Sequence, residues 1–323
     1  MSNAEKKYKY SIIVPVYNEQ DAVQPLFTEI KSVMESINEP YEIVFVDDGS
    51  IDHTLEKLKT LSPIKIIHFR KNFGQTAAMD AGFKNAEGEI FITMDGDGQN
   101  DPKDIPTLLA KMTEGYDVVS GWRFDRKDDF SKRFVSRGAD YLRKFFINDQ
   151  IHDSGCTLKA FRSECFENIT LYGEIHRFIP GMLKWQGFRI GEVKVNHRPR
   201  TTGKTKYNWK RVIKGLIDMI SVWFWRKYSG RPLHLFGTMG AFLGTAGVLL
   251  GIYLAIARIM GKIALQNSIW PLIAVFLMLT GIQLFVSGLL ADIAVKTFYD
   301  RKRTIYSIKE VIVNKDRNEN SDT

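Results

Sequence analysis

The segment FITMDGDGQNDP, residues 91–102, carries an apolar run into two aspartates one residue apart, Asp95 and Asp97, followed by Gln99 and Asp101. Side chains alternate along a strand, so period-two spacing at its end aims Asp95 and Asp97 the same way. Two convergent carboxylates repel unless a proton or cation lies between them. Hard oxygen ligands of this kind suit Mg2+ or Mn2+, which bind through one or two carboxylates together with substrate phosphates. Gly96 and Gly98 allow backbone and ligand to approach closely. Taken alone, the stretch reads equally well as an acidic surface turn.

The flanking chain favours the first reading. Residues 10–17 (YSIIVPVY), 41–46 (YEIVFV), 64–69 (IKIIHF) and 89–94 are short β-rich apolar runs, and 116–120 (YDVVS) is a fifth. Amphipathic or small-residue helical patterns separate them: Val23, Leu26, Phe27, Ile30 and Met34 after the first, a helix from near Asp52, another over 75–85, and a fourth over 104–112. Strands alternating with helices predict a parallel α/β sheet. In such sheets ligands bind outside the carboxyl ends of the strands. Glu19, Asp47, Arg70 and the Asp95/Asp97 pair all fall there and are expected along one edge. No GxxxxGK[ST] or GxGxxG pattern is present, which argues against P-loop and dinucleotide-binding folds.

The chain has 323 residues, a formal net charge of +8 and a hydrophobic fraction of 44%. A basic balance fits an anionic membrane surface, a phosphorylated substrate or nucleic acid. Cys156 and Cys165 make neither a disulfide framework nor a zinc pattern. The first residues, MSNAEKKYKY, are polar and basic, without a signal-peptide core.

Residues 233–257 carry no formal charge apart from any on His234, and 263–291 carry none. About 20 apolar helical residues span a bilayer core, so two transmembrane helices are expected, near 233–257 and 269–291. Buried core helices are the competing reading. Only Arg258 and Lys262 lie between them, whereas both flanks are rich in Lys and Arg, including Lys210, Arg211 and Lys214 before and Lys296, Arg301 and Lys302 after. The positive-inside bias then puts the N-terminal domain and both termini in the cytoplasm, with the protein multi-pass in the inner (plasma) membrane. Residues 130–147 and 207–230 each place aromatic and aliphatic residues at helical spacing among basic ones, as interfacial amphipathic helices do. The expected organisation is a catalytic domain over 1–206, a juxtamembrane helix over 207–230, the hairpin over 231–295 and a cytoplasmic tail over 296–323. The positive charge follows the membrane flanks, which disfavours nucleic acid as partner; a homo-oligomer is left open.

An ordered set of motifs carries a resemblance. Pro15-Val16-Tyr17-Asn18-Glu19, Asp47-Asp48-Gly49-Ser50, the Arg70–Gln75 run, Asp95-Gly96-Asp97-Gly98-Gln99, Ser120-Gly121-Trp122-Arg123, Asp153-Ser154-Gly155-Cys156, the HRFIP run from His176, and the segment Arg200–Tyr207 stand in the order found in family 2 glycosyltransferases of the GT-A fold. With a C-terminal hairpin, the chain resembles the polyprenyl-phosphate glycosyltransferase branch, over roughly residues 8–300. The resemblance implies that Pro15, Tyr17, Glu19, Asp47, Asp95 and Gly96 line a nucleotide-sugar pocket and that Lys206 closes over the diphosphate. It further implies that Asp95, Asp97 and Gln99 hold Mg2+ or Mn2+. Arg123 would contact phosphate, with Lys132 and Ser136 on the acceptor side. Gly96 stands where the family commonly has alanine, and Gly98 replaces a larger apolar residue; both are expected to loosen the turn.

The implied reaction moves one sugar from a UDP- or GDP-linked donor to undecaprenyl or dolichyl phosphate, with inversion. A phosphate monoester has a second pKa of about 6, so the acceptor is already an anion at neutral pH and a strong base is not obligatory. Asp153 reads as base, orienter or structural cap, and His176 and Arg177 as phosphate ligands or an internal His–carboxylate pair. The competing functions are a processive polysaccharide synthase, which needs more spans and a Gln-x-x-Arg-Trp motif absent here, and a non-catalytic sugar-nucleotide or lipid-phosphate binder.

Overall fold

Four of the apolar runs form adjacent parallel strands in the computed structural model: β1 (Tyr8–Val16), β2 (Tyr41–Asp47), β3 (Ile64–Phe69) and β4 (Gly88–Thr93). The structure describes residues 7–123, 151–167, 169, 171, 173, 175–198, 232–261, 268–299 and 308–314. The expected amphipathic helices at 130–147 and 207–230 lie outside these residues.

The chain divides into two units, Met1–Val222 with Thr304–Thr323, and Trp223–Arg303. In the first, the strands are apolar on both faces, as buried parallel strands must be. Ile12, Val14 and Val16 pack on α1 (Val23–Ile37), α2 (Thr54–Lys59) and α4 (Ile105–Thr113), while Ile13, Val44 and Val46 face α3 (Gln75–Asn85) and α5 (Ile179–Trp185). The helix α1 buries Val23, Leu26, Phe27, Ile30 and Met34, the stripe its spacing predicts. In contrast, α3 buries small residues and approaches the sheet closely: a Cβ on Gly82 would lie 2.4 Å from Ile13 Cγ2.

The sheet has eight strands in the order β7-β5-β6-β4-β1-β2-β3-β8. Three were not singled out from sequence: β6 (Lys159–Arg162), β7 (Ile190–Val195) and β8 (Ile308–Asn314). The short β6 runs antiparallel between β4 and β5 (Val118–Arg123), pairing Phe91 with Phe161 and Val119 with Ala160. The sheet is therefore mixed but mostly parallel. The strand β8 lies within the expected 296–323 tail. It adds antiparallel to β3, with Ile66 opposite Ile312.

The second unit is a helical hairpin of α6 (Pro232–Ile259) and α7 (Trp270–Tyr299). Spans Pro232–Ile259 and Trp270–Ala294 have mean hydropathy 1.9 and 2.2 and are each only 17% buried, unlike core helices of a soluble protein. Glycines bring the two backbones together: a Cβ on Gly281 would lie 2.5 Å from the Gly244 nitrogen and 2.6 Å from the Gly240 oxygen. Such small-residue contacts are how helices associate without a hydrophobic driving force. The pair is a candidate transmembrane hairpin.

Candidate active site

The turns after β1 and β2 are laced together. Asn18 takes a left-handed φ of 56°. Its backbone N–H donates to Ser50 Oγ at 2.9 Å, and its Oδ1 accepts from Ile51 at 2.9 Å. The Glu19 N–H donates to Thr54 Oγ1 at 2.9 Å. Asp48 accepts from the Phe73 and Gly74 N–H groups at 2.7 and 2.9 Å, which ties the β2 turn to the start of α3. Tyr17 is 42% exposed above this floor and Pro15 is partly buried in it.

Asp47 ends β2. It is fully buried, at 0% exposure, with one oxygen accepting from the Ser50 N–H at 3.0 Å and the other 2.8 Å from His68 Nδ1. The bond to Ser50 shapes the turn after β2.

The acidic loop is held from three sides. Asn100 Oδ1 accepts from the Asp95 N–H at 2.8 Å and from Thr157 Oγ1 at 3.0 Å. Gln75 Nε2 donates to Asp95 Oδ1 at 2.7 Å, and the Gln99 N–H donates to Asp97 Oδ1 at 3.1 Å. Arg198 donates to Asp101 at 2.8 Å and to Glu29 of α1 at 2.7 Å, while its backbone N–H bonds the Gln99 carbonyl at 2.9 Å. Gly96 acts differently from expectation. A Cβ on Gly96 would meet Val16 Cγ1 at 2.4 Å, so Gly96 lets the loop press on β1 and tightens the turn. Gly98 sits at φ 73°, where an L side chain is strained.

Asp95 is held above the ordinary carboxylate range, first by burial and then by the like charge of Asp97, against hydrogen bonds from Thr157 and Gln75 and the charge of Lys159. Among the described residues no group of three His, Cys, Asp or Glu side chains converges to cage a metal unaided. Two carboxylates and an amide on one loop nevertheless fit a cation that takes its remaining ligands from substrate phosphates.

Arg123 ends β5 and pairs with Asp153 in a two-pronged bridge, Nε to Oδ2 at 2.6 Å and Nη2 to Oδ1 at 2.9 Å. The Arg123 backbone N–H also approaches Oδ2, at 3.4 Å. Both Asp153 oxygens therefore meet the guanidinium, a charge-assisted, two-pronged geometry. Thr157, four residues on, donates to Asn100 of the acidic loop, and its carbonyl accepts from Thr93 Oγ1 at 2.7 Å. The 153–157 turn thus touches both the acidic loop and Arg123.

A family model described as glycosyl transferase family 2 matches residues 11–170. The dodecaprenyl-phosphate galacturonate synthase of Rhizobium johnstonii is 36% identical over 93% of this chain and 92% of its own length. The chain belongs to glycosyl transferase family 2. The undecaprenyl-phosphate 4-deoxy-4-formamido-L-arabinose transferase of Proteus mirabilis is 31% identical over 100% of this chain and 99% of its own. Among solved structures, mannosyl-3-phosphoglycerate synthase from Rubrobacter xylanophilus superposes with a TM-score of 0.56 at 18% identity, covering 67% of this chain and 74% of that one. Glucosyl-3-phosphoglycerate synthase from Mycobacterium tuberculosis, solved with Mn2+, UDP and product, gives 0.53 at 15% identity, covering 68% and 80%. At these identities the structural likeness speaks to the GT-A fold alone.

In this glycosyltransferase the structure brings Pro15, Tyr17, Glu19, Asp95, Gly96, Asp97 and Gln99 to the carboxyl edge of the sheet, with the Arg123–Asp153 pair beside them. Lys132, Ser136 and Lys206 lie outside the described residues. His176 is buried, with its Nδ1 2.9 Å from Thr76 Oγ1 of α3. Gln75, Asn100, Thr157 and Arg198 were not anticipated. Thr157 and Arg198 act through partners distant in sequence, whereas Asn100 bonds Asp95 within one loop.

Proposed function

We propose that this membrane-bound glycosyltransferase moves one sugar from a UDP- or GDP-linked donor to a polyprenyl phosphate, with inversion at the anomeric carbon. The observation that carries the reading is the joining of the acidic loop to the Arg123–Asp153 pair at one sheet edge, in a chain that also holds an apolar hairpin. Full-length similarity to two polyprenyl-phosphate sugar transferases supports the same acceptor class.

Tyr17 and the laced turns after β1 and β2 offer the surface for the nucleotide. Asp95, Asp97 and Gln99 would hold Mg2+ or Mn2+, which neutralises charge on the departing nucleoside diphosphate. Arg123, preset by Asp153, presents fixed N–H donors to phosphate, where preorganised donors act most strongly. The acceptor phosphate needs positioning more than deprotonation, so a strong base is not obligatory.

The apolar spans fit an acceptor whose tail stays in the bilayer. The strand β8 rejoins the catalytic sheet after the second span. Two crossings return the chain to its starting side, which supports a hairpin with both termini on one face. The Lys and Arg excess in the flanks points to the cytoplasmic face of the inner membrane.

The test is incubation of the purified full chain with radiolabelled UDP- and GDP-sugars, Mg2+ or Mn2+, and undecaprenyl or dolichyl phosphate. Label extractable into organic solvent is expected with one donor class; its absence with every donor overturns the proposal.

A further inference from the structure

Strand β6 holds a charge where its neighbours are apolar. Lys159 lies between Leu158 and Ala160, and is only 3% exposed. A methionine has nearly its length and would fill the same space without the cost of burying an ion. The ammonium must therefore do something that volume does not.

Its contacts show what. Lys159 Nζ donates to the Ser154 carbonyl at 3.4 Å and, at close range, to the Cys156 carbonyl. These two carbonyls belong to the turn whose Asp153 grips Arg123 and whose Thr157 bonds Asn100, the residue that in turn holds the Asp95 N–H. The turn rests directly on the guanidinium, since a Cβ on Gly155 would lie 3.1 Å from Arg123 Nη2. Burial works against the ammonium and holds Lys159 below the ordinary lysine range, while the carboxylates of Asp153 and Asp95 favour its charge and the Arg123 guanidinium opposes it. A turn of five residues is thus fixed from behind by one buried cation and connects the acidic loop to the phosphate-facing arginine.

We propose that Lys159 is a positioning residue for transfer: it locks the 153–157 turn, and so sets Arg123 at a fixed place relative to Asp95. The inference rests on the function proposed above. It concerns the chemical step, because the turn joins the donor side to the arginine without itself forming the nucleotide floor. A misplacement of about 1 Å at a reacting group can cost about 100-fold in rate.

The experiment compares wild type, Lys159→Met, Lys159→Arg, Asp153→Asn and the double variant Lys159→Met/Asp153→Asn, as full chains. For each, kcat and KM for the nucleotide sugar and the thermal midpoint are measured. Wild-type transfer establishes the parent reading; its absence defeats that reading and not merely this one. Given wild-type activity, Lys159→Met is expected to lower kcat about 100-fold with KM changed less than about 3-fold. Lys159→Arg, which keeps the cation, is expected to recover at least about tenfold of that loss. In the Asp153→Asn background, Lys159→Met should add little, because both act through Arg123. If Lys159→Met does not fold, Lys159→Gln replaces it, keeping a donor for the carbonyls but no charge, with the same kcat loss expected. The inference is overturned if the uncharged variant keeps kcat within about 3-fold of wild type, if Lys159→Arg is no better than Lys159→Met, or if the two losses multiply.

Discussion

Replacing Asp153 by asparagine separates the orienter from the base. The Arg123 and Asp153 side chains are 11% and 9% exposed, so solvent screens their contact little. Asparagine has nearly the same shape and keeps one acceptor, but turns an NH2 toward the second guanidinium N–H. The loss of one hydrogen bond between charged groups costs about 1.5–3 kcal/mol. In a domain of this size each kcal/mol lowers the thermal midpoint by roughly 2–4 °C. Alanine, which leaves the buried guanidinium uncompensated, should cost about 3–5 kcal/mol. If Asp153 only aims Arg123, Asp153→Asn lowers kcat by about 100-fold while the pH dependence of kcat keeps its shape and metal-dependent donor binding persists. The assay is transfer of radiolabelled sugar to undecaprenyl phosphate across pH, alongside thermal melts. Loss of an ionisation from the kcat profile with an unchanged melting midpoint would make Asp153 the base and refute the orienting role.

Three further outcomes are expected. Asp97→Ala should abolish transfer and weaken metal-dependent donor binding, as read by calorimetry with and without Mn2+; full activity would show that the acidic pair is structural. Burial holds the Asp48 carboxyl above the ordinary carboxylate range, against the Phe73 and Gly74 N–H groups that pull it down. The folded protein then keeps this proton to higher pH than the unfolded chain, so Asp48 makes stability decline as pH rises above about 4, until its folded value is passed. Asp48→Asn should remove that slope in denaturant titrations while costing about 1–3 kcal/mol for the mismatched N–H, and an unaltered slope would contradict the assignment. In the hairpin, Gly281→Leu would drive a side chain into backbone atoms 2.5–2.6 Å away, so the helices must separate. Crosslinking between cysteines placed on α6 and α7 should fall sharply, and undiminished crosslinking would rule out this packing.

Much of the fold was legible because its signals are local. Four apolar runs each ended in a polar cluster, α3 began and ended where its small residues do, and two long uncharged stretches announced the hairpin. The strand β6 escaped notice because it is four residues with a charge at either end, and β7 because only some of its residues are buried. The strand β8 alternates in a segment that otherwise reads as tail, and it gains its place only by pairing with β3, more than 200 residues earlier in the chain.

The residues by themselves determined which side chains stand at strand ends, since periodicity and turn chemistry are short-range properties. They marked Asp95, Asp97 and Gln99 as oxygen donors on one loop and the C-terminal stretches as apolar enough to cross a membrane. Tertiary structure decided which of these groups face a ligand and which face one another. It buried Asp47 against Ser50 and His68, made Gly96 a point of close contact with β1, and paired Asp153 with Arg123. It also hid Lys159 behind the turn that joins the two sides of the site. Those outcomes depend on strands inserted out of chain order, with β6 between β4 and β5, and a pairing across 30 positions leaves no trace in local spacing.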